Sequence, residues 1–224
     1  MTSRHDARAA TTICVTRHGE TDWNITGVLQ GWIDVPLNEN GRRQASEMAE
    51  RFKDCGFARV WTSPLSRASE TAEIVADVLG LPAPLRSDGL KERNFGLIQG
   101  MTKRDLSILH PGLHADIVRR DPACHFDEGE SPDHFADRII AALHEIAGRH
   151  PGERLLVVTH GWVMDVITRH VRQLPRTLAL DMKRKTGESL CSPVTSGSWS
   201  LTIASTKSTC SMPSKLVSMS VNSI

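Results

Sequence analysis

Leu155-Leu156-Val157-Val158-Thr159-His160-Gly161 is the stretch whose reading decides the fold. Four apolar residues in a row, with no polar alternation, read as a strand buried on both faces, as central strands of a parallel sheet are. The run is far short of the roughly 20 residues that span a bilayer. Gly161 to Val171 reads as the helix that follows it. Outward from this unit the same alternation recurs. Thr12 to Thr16 is a strand candidate, and Asn38 to Cys55 a helix whose Ala45, Met48, Ala49 and Phe52 return every three or four residues behind an Asn38 cap. Arg59 to Thr62 reads as a second strand, followed by a helix from Leu65 to Leu79 with Ala68, Ala72, Val75 and Leu79 on one face. Ser131-Pro132 is a cap and first-turn pair opening a helix to about Arg149, with Phe135, Ile139, Ala142 and Ile146 as its stripe. The expected fold class is α/β, a mostly parallel central sheet flanked by helices.

In such sheets, sites form beyond the carboxyl ends of the strands. That places Arg17-His18-Gly19 and Thr159-His160-Gly161 at one rim. Gly89 to Gly129 is poorly periodic apart from a short helix near Thr102 to Leu109, and Pro111-Gly112 argues against helix beyond it. We read this segment as a short cap over the rim. The expected division is an extension over 1–11, one domain over 12–188 and a C-terminal tail over 189–224. The tail carries twelve Ser, four Thr and no acidic residue. Within it only Gly197 to Ala204 alternates well enough for one edge strand.

At 224 residues with 39% apolar positions, the chain is long enough to bury a proper core. Its formal charge of +1 provides no global field toward nucleic acid or an anionic membrane, so neither is an expected partner. Met1 to Ala10 has Arg4, Asp6 and Arg8 with no apolar stretch behind them, unlike a secretory signal. Five cysteines, odd in number and without a C-x-x-C pair, fit a reducing compartment, and the expected location is cytoplasmic.

A single strand-end histidine is more often structural than chemical. Here His18 sits between Arg17, a planar donor fork suited to phosphate, and Gly19, which permits close backbone approach. His160-Gly161 repeats the arrangement at a second strand end. Thr16-Arg17-His18-Gly19-Glu20-Thr21, with Trp23-Asn24 behind it, resembles the signature of the histidine phosphatase superfamily, the phosphoglycerate mutase-like proteins. The likeness continues through Gln30-Gly31, Asp34, Pro36-Leu37, Gly41 and Gln44-Ala45, then Ser63-Pro64-Leu65-Ser66-Arg67-Ala68 with Thr71-Ala72. It continues in Leu90-Lys91-Glu92-Arg93-Asn94-Phe95-Gly96, Gly129-Glu130-Ser131 and Val158-Thr159-His160-Gly161. It covers residues 12 to 175 or so and fades after Pro175.

The resemblance implies a phosphoglycerate mutase-like fold and phosphoryl transfer through a phosphohistidine on His18, with Glu92 as proton donor. Arg17, Arg67 and His160 would hold the phosphoryl oxygens, and Asn24 and Gly161 would complete the phosphate site. Such transfer needs an in-line nucleophile, cations on the equatorial oxygens and an acid for the leaving alkoxide. Two guanidiniums supply the charge that Mg²⁺ gives elsewhere, so neither metal nor cofactor is expected. His110 and His114 are at i,i+4, but the Pro-Gly between them argues against a metal pair. A neutral imidazole attacks through one nitrogen only if the other keeps its proton, here in a hydrogen bond to a backbone carbonyl. Glu92 needs a pKa raised by burial or by the substrate's own negative charge. Gln30, Gly31, Lys103, Arg119 and Arg120 are candidates for the rest of the substrate.

Three activities compete. The leading one is a phosphatase acting on small phosphate monoesters. The alternative is a phosphoglycerate mutase, for which 2,3-bisphosphoglycerate would be the cofactor. An inactive phosphate-binding module is disfavoured because Arg17, His18, Arg67, Glu92 and His160 are all present. Lys103 and Arg119-Arg120 resemble the basic group with which mutases hold a carboxylate. Against that, only ten residues separate Arg120 from Ser131, where those mutases carry a long insertion. Where many relatives read H-G-G, Trp162 follows Gly161 and either narrows the pocket or points into the core. The sequence names neither the substrate nor an oligomeric state.

Overall fold

Alternate residues of the two central strands enter opposite hydrophobic clusters. Ile13, Val15, Leu155 and Val157 belong to one, and Cys14, Leu156 and Val158 to the other. A sheet covered on both faces requires this, because successive side chains point to opposite sides. The computed structural model describes residues 11–119, 121, 124–178, 180, 189–195 and 198–199. Arg120, the 1–10 stretch of the expected extension, residues 181–188 and 200–224 lie outside the described residues.

The strands are β1 (Thr11–Arg17), β2 (Arg59–Thr62), β3 (Leu85–Arg86), β4 (Arg154–Thr159), β5 (Ser189–Thr195) and β6 (Ser198–Trp199), in the order β3-β2-β4-β1-β5-β6. The first four of that order run parallel, and β5 and β6 join antiparallel. The helices are α1 (Asp22–Thr26), α2 (Glu39–Phe52), α3 (Ser66–Val78), α4 (Lys103–Leu109), α5 (Pro111–Arg119), α6 (Pro132–Arg149) and α7 (Gly161–Val171).

Helices α2 and α3 cover one face with Met48, Ala49, Phe52, Ala68, Ala72 and Val75. Helices α6 and α7 cover the other, with Phe135, Ile139, Leu143, Ile146, Val163 and Met164. Leu155 to Val158 have no exposed surface, and each contributes about 1.5–3 kcal/mol by burial. The caps follow the sequence: Asn38 accepts from the Gly41 N–H at the start of α2, and Ser131 from the His134 N–H ahead of Pro132.

Three elements differ from the sequence reading. The expected tail supplies a strand, Ser189–Thr195, beside β1; of the strand expected over 197–204, Ser198–Trp199 pairs with β5, and 197 and 200–204 lie outside the described residues. Pairing with a central strand outweighs the weak apolar pattern of that stretch. Pro111-Gly112 does not end the helical path: Pro111 is the first residue of α5, where a missing N–H breaks no helical bond. Cys14 is disulfide-bonded, while Cys55 and Cys124 are free thiols. Among the described residues no helix is long and apolar enough to cross a membrane.

Candidate active site

The ends of β1 and β4 meet at one rim. The His18 N–H donates to the Thr159 carbonyl at 2.9 Å, and the rings of His18 and His160 lie edge to face with centroids 5.2 Å apart. Gly19 is required by what packs on it: a Cβ there would stand 2.4 Å from the Gly41 carbonyl oxygen, at the start of α2. The Gly19 N–H donates to Thr71 Oγ1 on α3, and the Glu20 N–H to Gln44 Oε1 on α2. Both helices of one face thus clamp the turn that carries His18.

His18 Nδ1 is 2.6 Å from the Gly19 carbonyl oxygen, which can only accept, so Nδ1 carries the proton and Nε2 the free lone pair. Burial first, then the guanidiniums of Arg17 and Arg67, hold its pKa well below the ordinary 6.5, while the bond to Gly19 pulls weakly the other way. The ring is therefore neutral near pH 7. His160 is pushed down by burial and then by Arg67, His18, Arg17 and Arg138. It is fully buried, its Nε2 lies 2.8 Å from Ser63 Oγ, and its Nδ1 has no partner.

Arg67 projects from the first turn of α3. Its Nη1 and Nη2 donate to the carbonyls of Ile33 and Gly31 at 3.1 and 2.7 Å, and its buried Nε has no partner. Burial lowers its pKa to about 10, with Glu92 and Asp34 opposing, so it stays charged. Asp34 also accepts from the Ser66 N–H and caps α3 from a distant loop. Asn24 belongs to the capping box of α1: its Oδ1 accepts from the Thr21 N–H, which leaves its amide N–H groups for other partners.

A cavity of about 400 Å³ opens over this floor, lined by Arg17, His18, Asn24, Gln30, Gly31, Arg67, Glu92, Lys103 and Gly161. Its other walls are apolar: Trp23, Val28, Leu29, Phe95, Ile117, Val118 and Trp162. Gln30 is buried, with Nε2 donating to Thr21 Oγ1 and Oε1 without a partner. Glu92 is 8% exposed; its Oε1 accepts from the Arg93 N–H, and Oε2 from the Trp162 N–H at 3.4 Å. Lys91 pairs with Asp88, and the Arg93 side chain donates to the carbonyls of Cys124 and Glu130.

The structure thus gathers all but three of the residues singled out in the sequence around one cavity. His160, fully buried against His18 and Ser63, is not in its lining. Arg119 is not part of the lining and pairs with Asp116 one helical turn back. Arg120 lies outside the described residues. Trp162 does both things weighed for it, lining the cavity while packing on Phe95 and Phe126. Ser63 and the Trp162 N–H were not foreseen; Ser63 directly follows β2, and strand ends on this rim were the available signal. A second cavity of about 380 Å³ between α6 and α7 has its Arg93 and Arg176 engaged, the latter with Asp133 and Asp137. Among the described residues no cluster of His, Cys, Asp and Glu is arranged to hold a metal.

A parallel α/β sheet with an arginine-histidine pair at one strand end and a second histidine at the next defines a class of phosphoryl-handling proteins. The profile of the histidine phosphatase superfamily, branch 1, matches residues 13–203, reaching through β5 and β6. Phosphoglycerate mutase-like protein 4 of Arabidopsis thaliana is 40% identical over 166 residues, 73% of this chain and 72% of that one. The metal-independent phosphoserine phosphatase of the same plant is 38% identical over 165 residues, 73% and 69% of the two chains. Among solved structures, Bacillus stearothermophilus YhfR superposes with a TM-score of 0.80 at 31% identity, over 87% of this chain and 96% of that one. The chain belongs to the histidine phosphatase superfamily.

Proposed function

We propose that the protein is a phosphatase that hydrolyses small phosphate monoesters through a phosphohistidine on His18. The observation that carries this reading is the state of His18: the Gly19 carbonyl fixes its proton on Nδ1, and burial beside two arginines keeps the ring neutral. Its Nε2 lone pair attacks phosphorus while the bond to the ester oxygen breaks, and Glu92 gives its proton to the departing alkoxide. Water then attacks the phosphohistidine, Glu92 takes the water's proton, the P–N bond breaks and phosphate leaves. Arg17 and the unpartnered Nε of Arg67 receive phosphoryl oxygens, joined by Asn24, the backbone N–H groups at the Gly161 start of α7, and His160. His160 is kept neutral by burial first and then by the arginine field; a phosphate dianion offsets that field and so favours the protonated, donating form. The arginines supply the positive charge, so the reaction needs no metal.

Hydrolysis is favoured over mutase action by the walls. A mutase must hold the carboxylate of its substrate while the phosphorylated intermediate turns over, yet Arg119 faces Asp116 and the walls above the floor are mostly apolar. Lys103 in the lining, and the mutase-like name of one relative, are what favour the alternative. The cap is more ordered than its Pro-Gly suggested, since α5 brings Ile117 and Val118 to the cavity. Phosphate release and 3- to 2-phosphoglycerate interconversion, primed with 2,3-bisphosphoglycerate, should be measured on one preparation in EDTA. Release of phosphate from a panel of monoesters with negligible interconversion is expected. Interconversion at about 10² s⁻¹ without phosphate release would replace this reading with the mutase one.

A further inference from the structure

We infer that Arg138 is a positioning residue for Glu92, acting through the backbone of the 88–92 loop; this rests on the reading of Glu92 as proton donor. The loop has little regular structure of its own. A single turn of 3-10 helix over Asp88–Leu90 leads into Glu92, and no strand pairs with the segment that carries it. Its carbonyls converge instead on one guanidinium from α6. Arg138 Nη1 donates to Gly89 O and Lys91 O, both at 3.1 Å, with Asp88 O at 3.4 Å, and Nη2 donates to Glu92 O at 3.2 Å.

The guanidinium is itself fixed. Its Nε and Nη2 each lie 2.7 Å from an oxygen of Glu130, a paired, coplanar grip on a carboxylate that is 8% exposed. Glu130 Oε2 also accepts from the Asn94 N–H, and its backbone carbonyl from Arg93. The chain on both sides of Glu92 is therefore tied to one largely buried ion pair. Trp32 completes the arrangement, its indole N–H donating to the same Glu92 carbonyl at 2.7 Å.

Only arginine can do this. A planar fork reaches both oxygens of Glu130 along one edge and several carbonyls along the other. A lysine ammonium keeps the charge opposite Glu130 but concentrates its three donors at one point, so Arg138→Lys relaxes the loop without stranding a buried carboxylate. Truncating Arg138 would leave Glu130 buried and uncompensated, which itself destabilises the fold.

The test compares Arg138→Lys, Glu92→Gln and the double variant on an alkyl phosphate and on p-nitrophenyl phosphate, whose leaving group hardly needs a proton. Thermal melting and circular dichroism establish that each variant is folded. Arg138→Lys is expected to lower kcat on the alkyl ester by roughly 10- to 100-fold, to change kcat on the aryl ester less than about threefold, and to have little effect in the Glu92→Gln background. The Trp32 indole N–H resonance is expected to shift and to exchange faster, which reports on the shared carbonyl without turnover. Equal losses on the two esters, additive losses in the double variant, or an unmoved Trp32 resonance would overturn the inference while leaving Glu92 as donor. If Glu92→Gln itself shows no dependence on leaving group, the donor reading fails and the inference with it.

Discussion

The floor of the cavity and its cap are held by different kinds of structure. On the floor, Arg17, His18 and Gly161 are strand ends and helix starts, fixed by ladder bonds and by helices packed so closely that Gly19 and Gly41 admit no side chain. In the cap, Glu92 hangs from side-chain bonds to Arg138, Trp32 and neighbouring amides. Regular backbone thus places the groups proposed to meet the phosphoryl oxygens, and arginine chemistry places the proposed proton donor. A fault in the first should stop every reaction, whereas a fault in the second should matter in proportion to the proton demand of the leaving group.

The largest effect expected is from His18→Ala. Loss of the nucleophile should lower turnover by roughly 10⁴-fold or more on every ester, alkyl or aryl. Acid-labile, alkali-stable label from a ³²P ester should appear on the wild-type protein and be absent from the variant. Label persisting on the variant would move the nucleophile elsewhere and dissolve the distinction between floor and cap. Next in size, Glu92→Gln should slow alkyl esters by about 10²–10⁴, the usual worth of general acid catalysis, and p-nitrophenyl phosphate much less. A uniform loss would make Glu92 part of the floor.

The smallest effect is on stability and sharpens the picture of the floor alone. His18 and His160 have folded-state pKa values below their ordinary 6.5. Below pH 6.5 the unfolded chain therefore binds protons that the folded one does not. Stability from these rings is intact above that pH and falls as pH drops toward the depressed values, by up to about 1.4 kcal/mol per pH unit for each histidine. Melting temperatures between pH 7.5 and 5 should decline less steeply for His18→Ala than for the wild type. Identical slopes would mean that His18 is not held neutral by the fold.

What could be read in the sequence divides along the same line. Strand β4, helix α7 and the stripes of α2, α3 and α6 were legible because burial repeats at the period of each element, which also put Arg17 and His18 at a strand end, while Arg67 and Glu92 stood out through the family resemblance. Strand β5 escaped because its place is set by β1 and not by its own composition. Helix α5 escaped because Pro111 was weighed as a breaker and not as a first residue. Arg138 was invisible for a different reason: its partners are backbone carbonyls far back in the chain, and carbonyls carry no sequence signature. The Arg119–Asp116 pair was legible only once α5 was known to be a helix, because it needs the one-turn spacing of that element.

The place of β1 in the sheet has a consequence for how the protein is made. Strand β1 is flanked by β4 and β5, both later in the chain, so both of its neighbours are still unsynthesised when it leaves the ribosome. At about 5–20 residues per second, Arg17 and His18 wait roughly 10–30 s before the segment that completes their rim exists. During that interval β1 is an apolar strand with two open edges, a natural client for chaperones. The rim that brings His18 and His160 together then forms nearly all at once, when residues 154–161 emerge and pair with β1.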